Sequence, residues 1–254
     1  RLPKENQILL IYQNDTGKNT YSFTSFDSSK KYEFPFDEFL KINLSEWNNL
    51  SFPLSTQINK EIISKSGYLE LLNKTIQFLQ KGNAGKIVIS REKWVDKTDI
   101  HPVQSFIDLC SKFPSSFCHL SFWNEEEIWL GATPEVLGTF ENSVFTTMAL
   151  AGTLPDTDSM HWEAKETEEQ QVVTDYIYKK LNRYTSDISI QGPETLYVSP
   201  VKHLVTYFSA RLNQNSDLPN LINELHPTPA VCGIPLQISK DFILKEEGYN
   251  RDFY

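Results

Sequence analysis

Apolar positions near the start of the chain fall in short runs that predict strands. Leu9-Leu10-Ile11-Tyr12 is one such run, and residues 21–26 alternate aromatic with polar side chains. The polar segment 14–17 between them has the composition of a turn, so we expect the two runs to pair as a hairpin. Residues 27–60 keep no sustained period and predict loops and short strands.

Five later segments space their apolar residues three or four positions apart, which predicts amphipathic helices. They are residues 66–80, 102–109, 162–183, 218–225 and 239–247. Shorter apolar runs predict strands at 86–91, 195–198 and 203–208, and a hairpin made of 117–123 and 127–130. We expect a turn at Gly192-Pro193 and a polar connection over 154–160.

The stretch 128–153 is the most informative part of the chain. Its two apolar segments meet at residues 141–143, as expected of paired strands. Glu135 lies between a tight turn and apolar Val136-Leu137. Either this is a hairpin whose Pro-Glu step faces water, or an apolar wall raises the pKa of the carboxyl group so that it donates a proton. The small residues 149–153 would let a ligand approach the backbone closely.

Two polar side chains share a strand face with apolar neighbours, and each allows two interpretations. Lys86 is either a strand-end lysine that reaches solvent or a lysine with a lowered pKa that acts as a base. His203 shares its face with Val205 and Tyr207, so it is either a core residue with satisfied hydrogen bonds or a catalytic group. The pattern by itself leaves both choices open.

A carboxylate on a predicted helix raises the question of its counterion. Glu169 lies four residues before Val173 and so falls on the apolar stripe, whereas Glu166 and Glu168 are expected on the solvated surface. A carboxylate on a buried stripe needs a cation. A lysine or arginine partner and a bound metal ion are the two candidates.

Composition limits the classes of function. The chain has 254 residues and a formal net charge of −9, which disfavours binding to nucleic acid or acidic lipid. The three cysteines form no CxxC pair and the five histidines show no metal-ligand spacing, so we expect reduced thiols and a cytoplasmic protein. No apolar run approaches the length of a membrane span. Because the sequence starts at Arg1 and stops at Tyr254, we expect a fragment of a longer protein.

Seven segments from about Gly85 onward resemble, in order, the motifs of the chorismate-binding enzymes. They are GKIVISR, WLGATPEVL, TMALAGT, AKETEEQQVV, VKHL, LHPTPAVCGIP and GYNRDFY. The resemblance implies an α+β fold of the chorismate-binding type, with two stacked β-sheets flanked by helices. It also implies a single domain over 1–254 that lacks its C-terminal part, with 1–60 forming N-terminal strands and loops of the same domain.

The resemblance also assigns roles to particular residues. Lys86 matches the lysine that activates a water for attack on chorismate C2, and Glu135 matches the acid that protonates the departing C4 hydroxyl. Glu169 matches the first of the carboxylates that hold Mg²⁺, which in turn binds the substrate carboxylate. Matches to residues that line the substrate pocket are Gly152, Thr153, His203, Ala230 and Tyr254.

Three comparisons within the family favour an isochorismate synthase. Ala151 stands where some aminodeoxychorismate synthases carry a lysine nucleophile, and Lys86 is a residue that anthranilate synthases typically lack. Ala230 stands where lyases such as salicylate synthases tend to have threonine. The style of the last two motifs resembles the menaquinone branch. A chorismate lyase and an inactive fragment with the same fold are the alternatives, and we expect a monomer that binds neither nucleic acid nor membrane.

One departure from the family affects the expected activity of the chain. Family members continue past the Tyr254 position into segments that supply a substrate-binding arginine and a second Mg²⁺-binding glutamate. We therefore expect this fragment to bind Mg²⁺ poorly and to turn over little.

Overall fold

The computed structural model has an α+β architecture. It describes residue 5 and residues 7–11, 15–43, 64–93, 101–122, 128–157, 161–198, 200–213 and 217–254. Several sequence predictions lie outside the described residues, namely those for Tyr12 and for 44–60, 123–127 and 158–160. Among the described residues, no helix has both the length and the apolar character needed to cross a membrane.

The chain forms two compact units, each assembled from separate stretches. The first unit contains Arg1–Ser64, Glu92–Pro134 and Arg251–Tyr254, and the second contains Lys65–Arg91 and Glu135–Asn250. The helices are α1 (Lys65–Gln80), α2 (Pro102–Lys112), α3 (Ala164–Leu181), α4 (Leu218–Leu225) and α5 (Leu236–Glu246). The strands are β1 (Gln7–Ile11), β2 (Asn19–Thr24), β3 (Lys31–Phe36), β4 (Phe39–Asn43), β5 (Lys86–Ile87), β6 (Phe117–Phe122), β7 (Ile128–Thr133), β8 (Thr139–Glu141), β9 (Val144–Pro155), β10 (Ile188–Val198), β11 (Val201–Arg211) and β12 (Gly233–Ile234).

The first unit pairs its N-terminal strands differently from the sequence prediction. β1 pairs with β4, and β2 pairs with β3, so the predicted hairpin between the first two apolar runs is wrong. The reason is a tight turn after β2, in which the amide of Ser25 donates to the carbonyl of Lys30 and Asp27 accepts hydrogen bonds from Ser25 and Ser29. These bonds hold the pKa of Asp27 down at about 2. The turn therefore returns β2 directly onto β3.

The first unit has its own small core. The predicted hairpin of β6 and β7 is confirmed, and α2 packs on it. Apolar side chains from β1, α2 and β6 form the buried cluster, which consists of Ile8, Val103, Phe106, Cys110 and Cys118.

The second unit is organised around a four-stranded antiparallel sheet in the order β10-β11-β9-β8. The predicted turn at 141–143 is confirmed, since Asn142 and Ser143 have positive φ angles of 51° and 65° between β8 and β9. Helix α3 packs on one face of the sheet. The core between them includes Phe145, Ala149, Ala151, Val173, Ile177, Leu181, Phe208 and Ala210.

Four strand boundaries differ from the sequence prediction. Segment 128–133 pairs with β6 in the first unit rather than with β9, and the strand expected over 86–91 shortens to β5. β9 continues to Pro155, into the expected polar connection. β10 runs through Gly192-Pro193, where we expected a turn, because an irregularity between Gln191 and Glu194 absorbs these residues. Gly192 has a φ of 115°, and a Cβ there would lie 2.7 Å from the carbonyl oxygen of Val205.

Candidate active site

Lys86 lies on a strand of only two residues whose backbone is held by side-chain contacts. β5 pairs with β12, so that Lys86 is opposite Ile234. The buried hydroxyl of Ser239 donates to the carbonyl oxygen of Lys86 at 3.0 Å. Gly233 allows this close packing, since a Cβ there would lie 2.2 Å from the same oxygen. The lysine backbone is therefore fixed by tertiary contacts rather than by a long ladder.

The side chain of Lys86 forms an ion pair with Glu169. Its Nζ lies 2.6 Å from Oε1 of Glu169, and the two side chains are 21% and 33% exposed. Of the two counterions considered for Glu169, the structure thus shows a lysine. The pair joins the start of β5 to the first half of α3, so two residues that the sequence predicted to act on the same substrate do lie together.

The most buried carboxylate in the first turns of α3 is Glu166, and its predicted position on the solvated surface is wrong. Glu166 is only 6% exposed and belongs to the buried stripe of the helix. Two features account for this. Its carboxylate accepts from the backbone amide of Glu163 in a capping box, and Gly152 lets the first turn of α3 approach β9. A Cβ on Gly152 would lie 2.8 Å from the carbonyl oxygen of Glu166.

The electrostatic environment of Glu135 distinguishes between the two interpretations that the sequence left open. Burial raises the pKa of its carboxyl group, and the positive charge of Lys86 opposes this only in part. Of the two interpretations of Glu135, the raised pKa agrees with this environment, and the charge of Lys86 acts on Glu135 within the second unit. A half-buried acid near a lysine is a suitable pair for proton transfer at two positions of one ligand.

Thr153 and His203 face each other across β9 and β11. The Thr153 hydroxyl lies 3.1 Å from the carbonyl oxygen of Ala151 and 2.9 Å from Nδ1 of His203. Because a hydroxyl has one hydrogen and the carbonyl can only accept, Nδ1–H of His203 donates to Thr153. Burial lowers the pKa of His203, and a hydrogen bond to Ala151 partly offsets this.

The other predicted substrate-binding residues are more dispersed. The position that a Cβ would occupy on Gly152 faces α3, so the missing side chain lets the helix pack closely. The sequence analysis had instead expected the small residue to let a ligand approach the backbone. Ala230 packs against the core of the second unit in the loop before β12. Tyr254 belongs to the first unit, and its side chain is 76% exposed.

The carboxylates of the described residues supply only part of what a Mg²⁺ site needs. In the described part of the chain, no three His, Cys, Asp or Glu side chains group in a way that could hold a metal ion. Glu169 offers a carboxylate, but one of its oxygens is bonded to Lys86, and Glu166 directs its carboxylate to the helix N-terminus. Mg²⁺ needs near-octahedral oxygen coordination. The described residues therefore do not form a complete Mg²⁺ site by themselves.

The sequence prediction missed the residues that support the site. Ser239 and Gly233 fix the Lys86 backbone, and no local pattern distinguishes them from other small residues. Gln170 gave a usable signal, because it is a polar residue on the stripe formed by Val173 and Ile177. Its side chain is 2% exposed and hydrogen-bonds the backbone of β9.

Comparison with known proteins gives a consistent result. Residues 24–254 match the family model for the chorismate binding enzyme. The isochorismate synthase MenF of Escherichia coli (strain K12) is 26% identical over 273 aligned positions, which cover 99% of this chain and 62% of that protein. The chain thus spans less than two-thirds of the length of this relative.

Two solved structures are similar to the chain. MenF, the menaquinone-specific isochorismate synthase from Escherichia coli, has a TM-score of 0.72 at 17% identity, covering 99% of this chain and 65% of the other. Anthranilate synthase component I from Streptococcus pneumoniae TIGR4 has a TM-score of 0.74 at 15% identity, covering 96% and 70%. At these identities the likeness shows the fold, and it confirms the fold class predicted from the sequence.

Proposed function

The chain belongs to the family of chorismate-binding enzymes, and from this premise we propose that the whole protein is an isochorismate synthase, which isomerises chorismate to isochorismate. The main support for the proposal is that the second unit contains both Lys86 and Glu135, and that burial raises the pKa of Glu135. A reaction that adds water at one ring position and removes hydroxide at another needs a base and an acid of this kind. Relatives named isochorismate synthase support this choice within the family.

The proposed reaction assigns one proton transfer to each residue. As the base, Lys86 would take a proton from water while the water oxygen forms a bond to C2 of the ring. The two ring double bonds each shift by one position, and the bond between C4 and its hydroxyl oxygen breaks. Glu135 gives its proton to the departing oxygen, so one water enters and one leaves. The raised pKa of Glu135 keeps this proton available at a higher pH than an exposed glutamate would.

Mg²⁺ dependence is a further part of the proposal. Glu169 would supply one oxygen ligand, and the substrate carboxylate, water and the rest of the whole protein would supply the others. Glu169→Gln should weaken Mg²⁺ binding to the whole protein, which isothermal titration calorimetry measures without turnover. Glu168→Gln is the matched control, because Glu168 is exposed on the same helix.

Some finer features are proposed on the family resemblance. Thr153, His203, Ala230 and Tyr254 would contact chorismate with their side chains, and Gly152 would do so through its backbone. A role in menaquinone biosynthesis is supported by relatives named MenF. A cytoplasmic location is supported by the three buried cysteines, which form no disulfide with one another. We also propose that the protein is monomeric.

The first test uses the whole protein with chorismate and Mg²⁺, followed by chromatographic separation of the products. We expect isochorismate from the wild type, and a loss of turnover of at least about a hundredfold in Lys86→Ala and Glu135→Gln. Lys165→Ala and Glu168→Gln change exposed residues of α3 and should keep wild-type rates.

The products distinguish the proposed function from its alternatives. Salicylate with pyruvate would place the protein among the lyases. If the folded wild type consumes no chorismate, the fold is retained without this chemistry. Full activity in either Lys86→Ala or Glu135→Gln would remove that residue from its proposed role.

A further inference from the structure

A buried glutamine connects the helix that carries Glu169 to the strand that carries Thr153. Gln170 is 2% exposed. Its Oε1 accepts from the backbone amide of Ala151 at 3.0 Å, and its Nε2 donates to the carbonyl oxygen of Ala149 at 3.0 Å. The same Nε2 lies 3.0 Å from the hydroxyl of Thr206 on β11. The side-chain amide thus bonds to β9 with one donor and one acceptor, as the peptide group of a neighbouring strand would.

These bonds occur where the ladder between β9 and β11 is irregular. Leu150 is opposite Val205 and Thr153 is opposite His203, so two residues of β9, Ala151 and Gly152, face the single residue between them on β11. An extra residue of this kind leaves backbone groups outside the regular ladder. The Gln170 amide bonds to Ala151 within this irregular segment. The Gln170 side chain therefore stabilises the backbone conformation directly before Thr153.

The remaining contacts between α3 and this part of β9 have little directional character. Ala149 and Ala151 belong to the same apolar cluster as Val173 of α3, and Gly152 has no side chain. Hydrophobic burial is non-directional, so it does not by itself fix how far the helix lies along the strand. A buried hydrogen-bonded network can specify one arrangement because each group must find its partner.

We infer that Gln170 is a positioning residue, which fixes α3 along β9 and thereby places Glu169 and Thr153 for the reaction. Glu169 directly precedes Gln170 on α3, so any shift of the helix also moves it relative to Lys86. Gln170 contacts only protein groups in this arrangement and acts through them. The part of the inference that concerns turnover rests on the proposed function, whereas the part that concerns the backbone does not.

The activity test compares Gln170→Met with Gln171→Met in the whole protein. Methionine matches glutamine in length but forms none of the side-chain hydrogen bonds of Gln170, while Gln171 is exposed and bonds to Asp175 within α3. We expect kcat to fall roughly tenfold to a hundredfold in Gln170→Met, as for a misplacement of about 1 Å, with KM for chorismate at least about threefold higher. Loss of folded protein alone would lower the maximal rate and leave KM unchanged.

A second readout is independent of turnover. In the wild type the amide hydrogen of Ala151 should exchange slowly with solvent, and in Gln170→Met it should exchange at least about tenfold faster. The amide of Ala210 on β11 should keep its rate and serves as the internal control. Nuclear magnetic resonance resolves both amides.

Each possible result either supports or contradicts the positioning role of Gln170. Wild-type exchange at Ala151, or unchanged kcat and KM with folded protein, would overturn it. If the wild type does not convert chorismate, the proposed function fails, and the exchange rates still decide the positioning of the backbone. If Gln170→Met does not fold, Gln170→Asn keeps a neutral amide that is one methylene shorter and cannot reach Ala149 and Ala151 as Gln170 does. That variant should then show a loss of the same kind, and wild-type kinetics in it would contradict the inference.

Discussion

The two strand pairs that carry the candidate site are stabilised in opposite ways. β9 and β11 are twelve and eleven residues long, lie in a four-stranded sheet and are covered by α3. β5 and β12 have two residues each, and Ser239 and Gly233 hold them together. The long pair carries Thr153 and His203, and the short pair carries Lys86. A candidate base can therefore lie on a strand whose position is set almost wholly by contacts with neighbouring segments.

The largest effect should come from breaking the core of the long pair. Phe208 on β11 is 2% exposed and packs in the cluster shared with α3. We expect Phe208→Ala to lower the free energy of unfolding by about 3–5 kcal/mol, because a large cavity remains. Urea denaturation measures this. Tyr197→Ala on β10 removes a side chain that is 64% exposed and should cost less than about 0.5 kcal/mol. Equal losses in both variants would contradict this account of the core.

The short pair should respond to a single added methyl group. Gly233 has a φ of 139°, and its Cβ would lie 2.2 Å from the carbonyl oxygen of Lys86. We expect Gly233→Ala to cost about 1–3 kcal/mol of stability and to lower kcat of the whole protein more than Phe208→Ala does, because Lys86 must move. Activity per folded molecule is the measurement.

A second glycine separates backbone strain from the contact with Lys86. Gly82 also has a positive φ, 74°, but nothing lies within 4 Å of its Cβ position. Gly82→Ala should therefore lose stability and keep kcat. If Gly233→Ala also kept wild-type kcat, the short pair would not be a positioning element.

The smallest effect should be on how the free energy of unfolding depends on pH, through His203 in the long pair. Burial lowers the pKa of His203 below its ordinary value of 6.5, and the bond to Ala151 only partly opposes this. The folded state therefore binds fewer protons than the unfolded state in the window just below pH 6.5, so stability falls as the pH drops through that window. His203→Gln should show a shallower decrease in unfolding free energy between pH 7 and about pH 5. If His203→Gln showed the same change of unfolding free energy with pH as the wild type, His203 would not be the cause of the decrease.

The long pair and its helix were largely predictable from the sequence, because their apolar residues repeat with the period of the element. The pattern predicted α3, both strands and the turn before β9. It did not predict the burial of Glu166, which depends on the missing Cβ of Gly152 on another element. The sequence also predicted β5 as longer than it is, because Ile89 looks like a strand residue although the pairing ends with the bond from the Val88 amide to the carbonyl oxygen of Cys232.

The residues of the candidate site also divide into those that local sequence patterns indicate and those that depend on distant segments. The apolar neighbours of Glu135 in sequence allowed a raised pKa as one of two interpretations, and the burial of the side chain favours it. The contact of Lys86 with Glu169 joins residues that are 83 positions apart, and only the family resemblance brought them together beforehand. Supporting residues such as Ser239 and Gln170 act through backbone atoms of distant segments, and local patterns contain little information about such contacts.

The division of the chain into two interleaved units has a consequence for how the protein is made. The first unit includes the four residues Arg251–Tyr254, in which Arg251 lies over the ring of Phe26, and Asp252 pairs with Lys30 and accepts from the amide of Phe26. On the ribosome the N-terminal strands emerge early, yet these partners are synthesised after the whole second unit. Domains usually complete their folding in the order of synthesis. Here the first unit cannot be completed before residues 251–254 are made, so a chain that stalls before them would expose its aromatic strands to other proteins.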